Sequence, residues 1–278
     1  MKKTLDLLSP AKLNLFFRVL AKRSDGFHDI ASLFQAIDLV DEISFSLSSK
    51  DHFTCSFSFL ENSSNLIVKA RDLFRLKSKI DFHVDINLKK KIPIRAGLGA
   101  ASSNAATTLW GINQILNFPF SLETLKSWAK ELGSDVSFFL SKGCGYCLGK
   151  GEVVYETSLP NKLTGYVAKP NFDLSTSFVY KHVQMKLIDS NIDPKSALES
   201  FLFKKPMFFN DLEKTAFHLV PKMQKIKKDL LNLGFHTVLM TGSGSSFFCL
   251  GNVEKTQLED VVFFPFVSIQ RNSDTWYS

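Results

Sequence analysis

The chain has 278 residues, 45% of them hydrophobic and 22% charged, a length that favours two domains and a composition that excludes an intrinsically disordered protein. Lys and Arg outnumber Asp and Glu by 34 to 27, and the net charge of +7 suits an acidic partner such as a nucleotide, a nucleic acid or a membrane surface. Apolar runs such as 261–264 are far shorter than the roughly 20 residues of a membrane-spanning helix, and no signal-peptide pattern follows Lys2 and Lys3, so we expect a cytoplasmic protein.

The beginning of the chain predicts mostly strands. Apolar and polar residues alternate over 12–19, 43–47, 53–59 and 80–88, and an apolar segment follows the turn at 24–26. The segments 43–47 and 53–59 are predicted to form a hairpin. In the first strand the alternation places Lys12 on the same face as Asn14 and Phe16. Residues 65–76 predict a helix, and this succession of strands and helices indicates an α+β fold.

A glycine-rich loop at 97–104 leads into a predicted helix that continues to Leu116. Such a loop exposes backbone N–H groups at the positive end of a helix dipole, and together they form an anion site. The hydroxyls of Ser102 and Ser103 add donors for phosphate oxygens. The pattern alone is equally typical of a plain tight turn. The motifs of P-loop proteins, dinucleotide-binding proteins and protein kinases are absent from the sequence.

The rest of the chain predicts a second α+β unit. Ser121 caps a helix that ends before Gly133, and Asp135 precedes a short apolar segment at 136–140. Glycines and a proline between 143 and 160 indicate a boundary, so we predict one domain over 1–155 and another over 156–278. The elements predicted for the second are a strand at 164–168, a helix at 219–233, and strands at 235–241 and 245–250 around a Gly242-Ser243-Gly244 turn.

A metal site built by the protein is not expected. The six histidines are scattered, and Cys144 and Cys147 have no second pair of ligands at metal-binding spacing. We therefore predict buried thiols at these cysteines.

Three segments resemble the ordered motifs of the GHMP small-molecule kinases, namely Ser9 to Leu15, Pro93 to Ala106 and Thr241 to Gly244. Within that family, Arg23 to His28 and Leu132 to Val136 are similar to the members that act on a cytidylyl diphosphate ester. The resemblance implies a two-domain α+β fold with a ferredoxin-like second domain and the active site in the cleft between the domains. It also implies ATP-dependent phosphorylation of the 2-hydroxyl of 4-diphosphocytidyl-2-C-methyl-D-erythritol, in the non-mevalonate route to isoprenoid precursors.

The resemblance places Lys12 and Asp135 on either side of the acceptor hydroxyl. Asp135 accepts the hydroxyl proton or orients it, and Lys12 stabilises the charge that develops. From the residues alone, the favoured explanation of Asp135 is that it caps the following helix. A lysine on a mostly apolar strand face, by contrast, is usually paired or functional.

The resemblance further implies that ATP and Mg²⁺ bind at the glycine-rich loop, with the magnesium held mostly by phosphate and water. The implied ATP-binding residues are Asn65, Lys90, Gly97, Leu98, Gly99, Ala100, Ala101, Ser102, Ser103 and Asn104. The cytidylyl end is expected to stack on aromatic rings and to bond to a histidine. The implied acceptor-binding residues are Asn14, Phe27, His28, Thr176, Tyr180 and Gly244. The structural alternatives are a turn hydrogen bond for Asn65, a solvated strand end for Lys90 and a core position for Phe27.

Two departures from the family pattern affect these expectations. Phe27 stands where a tyrosine is common, which keeps the stacking surface and removes a phenolic hydroxyl. Arg95-Ala96 and Ala100-Ala101 replace glycines, so we expect a stiffer loop. The alternatives to the expected function are another GHMP kinase, acting on a mevalonate-type or homoserine-type alcohol, and a non-catalytic nucleotide-binding or RNA-binding module.

Overall fold

The computed structural model describes residues 4–188, 191–203, 205–254, 256–272 and 274–277. Its strands are β1 (Leu5–Lys22), β2 (His28–Leu47), β3 (His52–Cys55), β4 (Val84–Lys89), β5 (Cys144–Gly149), β6 (Val153–Glu156), β7 (Thr164–Pro170), β8 (Phe209–Asn210), β9 (Thr237–Met240), β10 (Phe247–Leu250) and β11 (Val261–Val267). Its α-helices are α1 (Leu66–Ser78), α2 (Ala100–Ile115), α3 (Leu122–Leu132), α4 (Val136–Phe139), α5 (Thr176–Lys181), α6 (Pro194–Leu202), α7 (Leu212–Leu219) and α8 (Pro221–Asn232). Within these ranges no helix combines the length and apolar character needed to cross a membrane.

The long strands β1 and β2 form the frame of the first sheet. They pair antiparallel along almost their whole length. The second half of β2 also pairs with β4, and its first half pairs with β5, which in turn pairs with β6. β8 adds parallel to β1 at Phe16 and Phe17. A short strand from the second half of the chain therefore belongs to the first sheet.

The predicted hairpin between 43–47 and 53–59 is wrong. β4 lies between the two segments, antiparallel to β2 and parallel to β3. The strand character of the second segment also ends at Cys55, and a turn of 3-10 helix follows at Ser58–Leu60. Alternation determines which residues share a face of a strand, but it does not determine which strand lies alongside.

A β-bulge in β1 changes the face on which Phe16 lies. The register against β2 shifts between Asn14 and Phe16, so Leu15 is an extra residue in β1. Phe16 consequently packs with Leu13 and Leu15 in the core between the sheets. The predicted common face is therefore correct for Lys12 and Asn14, whose side chains are hydrogen-bonded, and wrong for Phe16.

Helix α1 begins next to Asn65, where the helical pattern starts in the sequence, and α3 begins at the capping residue Ser121 that the sequence predicts. The side chain of Asn65 accepts the N–H of Ile67 at the start of α1, and that of Ser121 accepts the N–H of Thr124 at the start of α3. Gly99 has a φ of 69° and directly precedes α2. The glycine-rich loop therefore leads into a helix N-terminus, as the sequence predicts.

The second sheet is antiparallel, with its strands in the order β11, β7, β10 and β9. The strands predicted at 164–168, 235–241 and 245–250 and the helix predicted at 219–233 are present as β7, β9, β10 and α8. The predicted helix begins later because Pro221 occupies its first turn.

Apolar clusters hold the sheets and helices together in layers. The first cluster packs α1, α2 and α3 on the first sheet, the second fills the space between the two sheets, and the third packs α7 and α8 on the second sheet. Trp276 and Tyr277, from the end of the chain, are buried in the first cluster. The predicted division of the chain at residue 155 stays a prediction.

Candidate active site

A cavity of about 1050 Å³ lies where loops of the first sheet meet α5 and the turn after β9. We call it the main cavity. It is lined by fifteen of the residues that the resemblance implies: Lys12, Phe27, His28, Asn65, Lys90, Gly97, Leu98, Gly99, Ala100, Ala101, Ser102, Asn104, Asp135, Thr176 and Tyr180. Asn14, Ser103 and Gly244 are not among the residues that line it. The tertiary structure thus brings together segments that are far apart in the sequence.

Lys12 is a buried cation at the centre of this site. Its side chain is 4% exposed, and its Nζ donates to Oδ1 of Asn14 at 2.6 Å. The same Nζ lies 3.5 Å from Oδ2 of Asp135 and 4.2 Å from the centre of the Phe34 ring. A carboxylate, an amide oxygen and an aromatic face together offset the loss of water around the ammonium group. Lys12 is therefore held rigidly with its charge directed into the cavity.

Asp135 directly precedes α4 but does not cap it. No hydrogen bond joins its side chain to the first turn of α4, and the carboxylate instead faces Lys12. Its side chain is 29% exposed, so it is accessible from the cavity. The capping alternative considered from the sequence is therefore excluded by the geometry, which makes Asp135 available to an acceptor hydroxyl.

Glycine is required at two positions of the glycine-rich loop. Gly97 has a φ of +73°, and a Cβ atom there would lie 2.4 Å from the carbonyl oxygen of Thr241. Gly99 has a φ of +69°, and a Cβ atom there would lie 3.0 Å from Cγ of Lys12. Because neither position has room for a side chain, the loop packs closely against the turn after β9 and against Lys12.

The serines and the asparagine that begin α2 have different surroundings. Ser102 lines the main cavity, whereas Ser103 is fully buried and its Oγ accepts a hydrogen bond from Ser9 at 2.9 Å. The Nδ2 atom of Asn104 donates both to Ser9 and to Asp41, each at 2.9 Å. In this structure Ser103 therefore anchors the helix, and Ser102 is the hydroxyl that faces the cavity.

Asp41 is a positioning residue that the sequence analysis missed. It is fully buried, and its carboxylate accepts the backbone N–H groups of Lys91 at 2.8 Å and Ile92 at 2.9 Å. It also forms an ion pair with the ammonium group of Lys90 and accepts the amide of Asn104. These bonds tie both ends of the segment that contains the glycine-rich loop to β2. The ammonium group of Lys90 is thereby engaged inside the protein, although the residue lines the cavity.

The aromatic end of the main cavity contains Phe27, His28 and Tyr180. His28 is 5% exposed, its ring lies 5.5 Å from that of Tyr180, and its Nδ1 is buried without a hydrogen-bond partner among the described residues. Burial, and secondarily the charge of Lys22, lowers the pKa of His28 below its ordinary value. Burial also raises the pKa of Tyr180. Both rings are therefore uncharged at neutral pH, and the unpartnered Nδ1 atom of His28 is itself buried.

Phe27 is an exposed ring at the rim of the cavity and not a core residue. It is 57% exposed, and the Nζ atom of Lys150 lies 4.7 Å from the centre of its ring. Lys150 itself lines the cavity. The sequence analysis did not single out Lys150, because its neighbours Gly149 and Gly151 indicate only a turn.

Asn14, Gly244 and Thr176 surround the turn at 241–244. Asn14 is fully buried, and its backbone N–H donates to Oγ1 of Thr241 at 3.2 Å, so it positions Lys12 against this turn without lining the cavity. Gly244 contributes backbone that packs on Gly97. Thr176 lines the cavity and shares a hydrogen bond of 2.8 Å with Ser243.

Asn210 holds the same turn from the other side and was also missed. Its Nδ2 donates to the carbonyl oxygens of Met240 at 2.7 Å and Gly242 at 2.8 Å, and its Oδ1 accepts the N–H of Leu212. Its side chain makes these three hydrogen bonds inside the protein, and no sequence pattern distinguishes it from an ordinary turn asparagine.

Comparison with known proteins shows which family the chain belongs to. Residues 65–143 match the family described as the GHMP kinases N terminal domain. The chain is 43% identical to the 4-diphosphocytidyl-2-C-methyl-D-erythritol kinase of Protochlamydia amoebophila (strain UWE25), over 98% of this chain and 92% of that relative. It is 39% identical to the chloroplastic/chromoplastic 4-diphosphocytidyl-2-C-methyl-D-erythritol kinase of Solanum lycopersicum, over 98% of this chain and 73% of that relative.

A solved structure shares the fold. The crystal structure of a 4-(cytidine 5'-diphospho)-2C-methyl-D-erythritol kinase superposes with a TM-score of 0.81 at 27% identity, and the match covers 95% of this chain and 99% of that one. Since the sequence identity extends over more than two thirds of each relative, this chain belongs to the 4-diphosphocytidyl-2-C-methyl-D-erythritol kinase family of the GHMP kinases.

Proposed function

We propose that the protein transfers the γ-phosphoryl group of ATP to the 2-hydroxyl of 4-diphosphocytidyl-2-C-methyl-D-erythritol. The observation that carries the proposal is the pair formed by Lys12 and Asp135, 3.5 Å apart, in a cavity that has the glycine-rich loop in one wall. The same cavity is lined by Phe27, His28 and Tyr180, a group of rings that suits a cytosine base.

Lys12 and Asp135 have different roles in phosphoryl transfer. The acceptor oxygen forms a bond to the γ-phosphorus while the bond from that phosphorus to the bridging oxygen breaks, and ADP leaves. Asp135 orients the acceptor hydroxyl and takes its proton, and the ammonium group of Lys12 stabilises the negative charge on the transferring oxygens. Such a transfer needs positioning and electrostatic stabilisation more than covalent help. The contacts of Lys12 with Asn14 and Phe34 provide the positioning.

The glycine-rich loop supplies the nucleotide side of the site. Backbone N–H groups at the start of α2 and the hydroxyl of Ser102 face the cavity and suit the phosphates of ATP. Asn65 and Lys90 line the part of the cavity that suits the adenosine. Because both side chains already have partners inside the protein, we expect the adenosine to contact the backbone of these residues and the groups around them.

The oxygen donors of the cavity fit Mg²⁺. The carboxylate of Asp135 and the hydroxyl of Ser102 are ligands of the kind that this ion takes, and phosphate oxygens and water would supply the rest. When bound, the ion offsets the charge of the phosphates. Within the described part of the chain no group of three His, Cys, Asp or Glu side chains is arranged as a metal cage.

The cytoplasmic location stays a prediction.

The test is the release of ADP by the purified protein with ATP and Mg²⁺ and one of three acceptors: the cytidylyl compound, mevalonate or homoserine. We expect turnover with the cytidylyl compound alone, because the smaller acceptors have no base for the aromatic end of the cavity. Turnover with mevalonate or homoserine instead would support the proposed kinase activity and contradict the proposed acceptor. ATP binding without turnover of any acceptor would favour a non-catalytic nucleotide-binding module.

A further inference from the structure

Arg95 is a cation within the segment that forms the glycine-rich loop, at a position where the resemblance leads us to expect glycine. It adopts a φ of +52°, a left-handed conformation that costs free energy for any residue other than glycine. Its side chain is 72% exposed and lines the main cavity. A strained backbone that presents a charged side chain to a cleft is a feature of functional sites.

Arg95 also lines a second cavity, of about 490 Å³, next to the main one. The other residues of that cavity are Gly97 and the segment Leu174 to Ser177, which leads into α5. The resemblance assigns Thr176 and Tyr180 of α5 to the acceptor and Asn65 and Lys90 to ATP, and all four residues line the main cavity. Because the second cavity includes the start of α5, Arg95 lies next to a segment that the resemblance assigns to the acceptor.

The present partner of Arg95 is weakly held. The guanidinium Nη1 lies 3.9 Å from Oδ2 of Asp173, and both side chains are largely exposed. Asp173 has a nearer cation in Lys169, at 3.3 Å, so it does not depend on Arg95 for neutralisation. Lys12 and Lys90, in contrast, are buried in their ion pairs. Arg95 can therefore exchange Asp173 for a phosphate group at little cost.

We infer that Arg95 binds the diphosphate of the acceptor and thereby strengthens the binding of an acceptor that carries one. The inference rests on the proposed function. A guanidinium group is planar and donates two parallel hydrogen bonds to phosphate oxygens, which matches a diphosphate better than an isolated hydroxyl. Ser175, Thr176 and Ser177 also line the second cavity, and their hydroxyls are hydrogen-bonded to one another or to Ser243.

The experiment measures steady-state kinetics of Arg95→Ala and Arg95→Lys with each substrate varied in turn. We expect Arg95→Ala to raise KM for the acceptor about 10-fold or more, with kcat and KM for ATP within about twofold of the wild type. Arg95→Lys should restore part of the affinity, because it keeps the charge and loses the planar fork. Lys225→Ala, on the exposed face of α8, is the control for loss of one positive charge.

Three results would overturn the inference. If Arg95→Ala leaves KM for the acceptor unchanged, Arg95 does not hold the acceptor. The same follows if the variant raises only KM for ATP. An equal rise in Asp173→Asn would assign the effect to the ion pair. These results presuppose that the wild-type protein phosphorylates the acceptor. If it does not, the proposed function fails instead, and the two failures are thereby distinguished.

Discussion

The side chain of Asp135 is the group whose charge the proposed reaction depends on. Asp135→Asn keeps the size of the side chain and removes its ability to accept a proton. We expect kcat to fall by at least about 100-fold while the Kd for ATP stays similar, because the glycine-rich loop is unchanged. Steady-state ADP release and a nucleotide titration measure the two quantities.

Asp81→Asn is the matched control for Asp135→Asn, because it makes the same change at an exposed residue before β4. Its kcat should equal that of the wild type. If Asp135→Asn also retained wild-type turnover, Asp135 would have no role in proton transfer or in orienting the hydroxyl.

His28 couples the stability of the protein to pH. Its pKa is lowered in the folded state from the ordinary 6.5, so the unfolded chain binds the proton more tightly. Between the lowered pKa and 6.5, the free energy of unfolding therefore rises with pH, and acid removes this contribution. We expect His28→Gln, which cannot be protonated, to lack this part of the pH dependence.

The measurement for His28 is the Tm of wild type and His28→Gln at about pH 7.5 and about pH 5. From the higher to the lower pH, the Tm of the wild type should fall by more than the Tm of the variant. The contributions of the other titrating groups are the same in both proteins and cancel in the comparison. Equal losses would show that the neutral state of His28 does not contribute to folding.

At the residue scale, the sequence alone marked Lys12, because a lysine in an apolar strand is unusual for its place, whereas Asp135 was marked only by the resemblance to the GHMP kinases. The structure brings the two side chains to 3.5 Å, and their catalytic roles stay a prediction. Asp41 and Asn210 were missed because a buried carboxylate or amide that binds backbone leaves no pattern along the chain. One partner of Asp41, the side chain of Asn104, lies 63 residues away in the sequence.

At the scale of elements, the turn at 241–244 depends on β8. Asn210→Asp keeps the acceptor for the N–H of Leu212 and turns the two donated hydrogen bonds into repulsion between oxygens. We expect a loss of about 1–3 kcal/mol of unfolding free energy for each buried carbonyl left without a donor. We also expect kcat to fall by about 10-fold or more, since the displaced turn contacts Asn14 and Gly97.

Chemical denaturation and ADP release test Asn210→Asp, and Asn161→Asp, at an exposed turn residue, is the control. A variant that lost stability but kept kcat at saturating substrates would show that the 241–244 turn does not position the catalytic residues.

The elements themselves were largely predictable because helices and strands follow from local periodicity and capping. Asn65 and Ser121 mark the starts of α1 and α3 in the sequence as in the structure. The pairing of β3 with β4 was not predictable in this way, because it depends on which strands meet after the chain has crossed α1. The bulge at Leu15 was equally hidden, since a single extra residue interrupts the alternation without a glycine to mark it.

At the scale of the whole molecule, the end of the chain helps to hold the first sheet and its helices together. Trp276 is 6% exposed, stacks on Trp110 with ring centres 5.3 Å apart and donates its Nε1–H to the carbonyl oxygen of Leu8 at 2.7 Å. Arg271 lies between aromatic rings and donates to the carbonyl oxygens of Leu140 and Ser141, just after α4. The segment that carries Asp135 is thereby fixed at its other end.

We expect Trp276→Ala to lower the free energy of unfolding by about 3–5 kcal/mol, the usual cost of removing a buried tryptophan. Urea denaturation measures the change, and Phe203→Ala, at a residue that is 75% exposed, is the control for an aromatic deletion. A loss of less than about 1 kcal/mol would mean that the end of the chain is not part of the cooperative unit.

The sequence by itself determined the α+β class, the helix starts, the glycine-rich loop and the unusual place of Lys12 in an apolar strand, because each of these is encoded by local spacing or by residue type. Only the tertiary structure decided which strands are neighbours, that Lys90 and Ser103 serve as internal anchors, and that Arg95 lines a second cavity beside the start of α5. These outcomes depend on contacts between residues distant in the chain, and such contacts are set by packing of the whole core and not by any short segment.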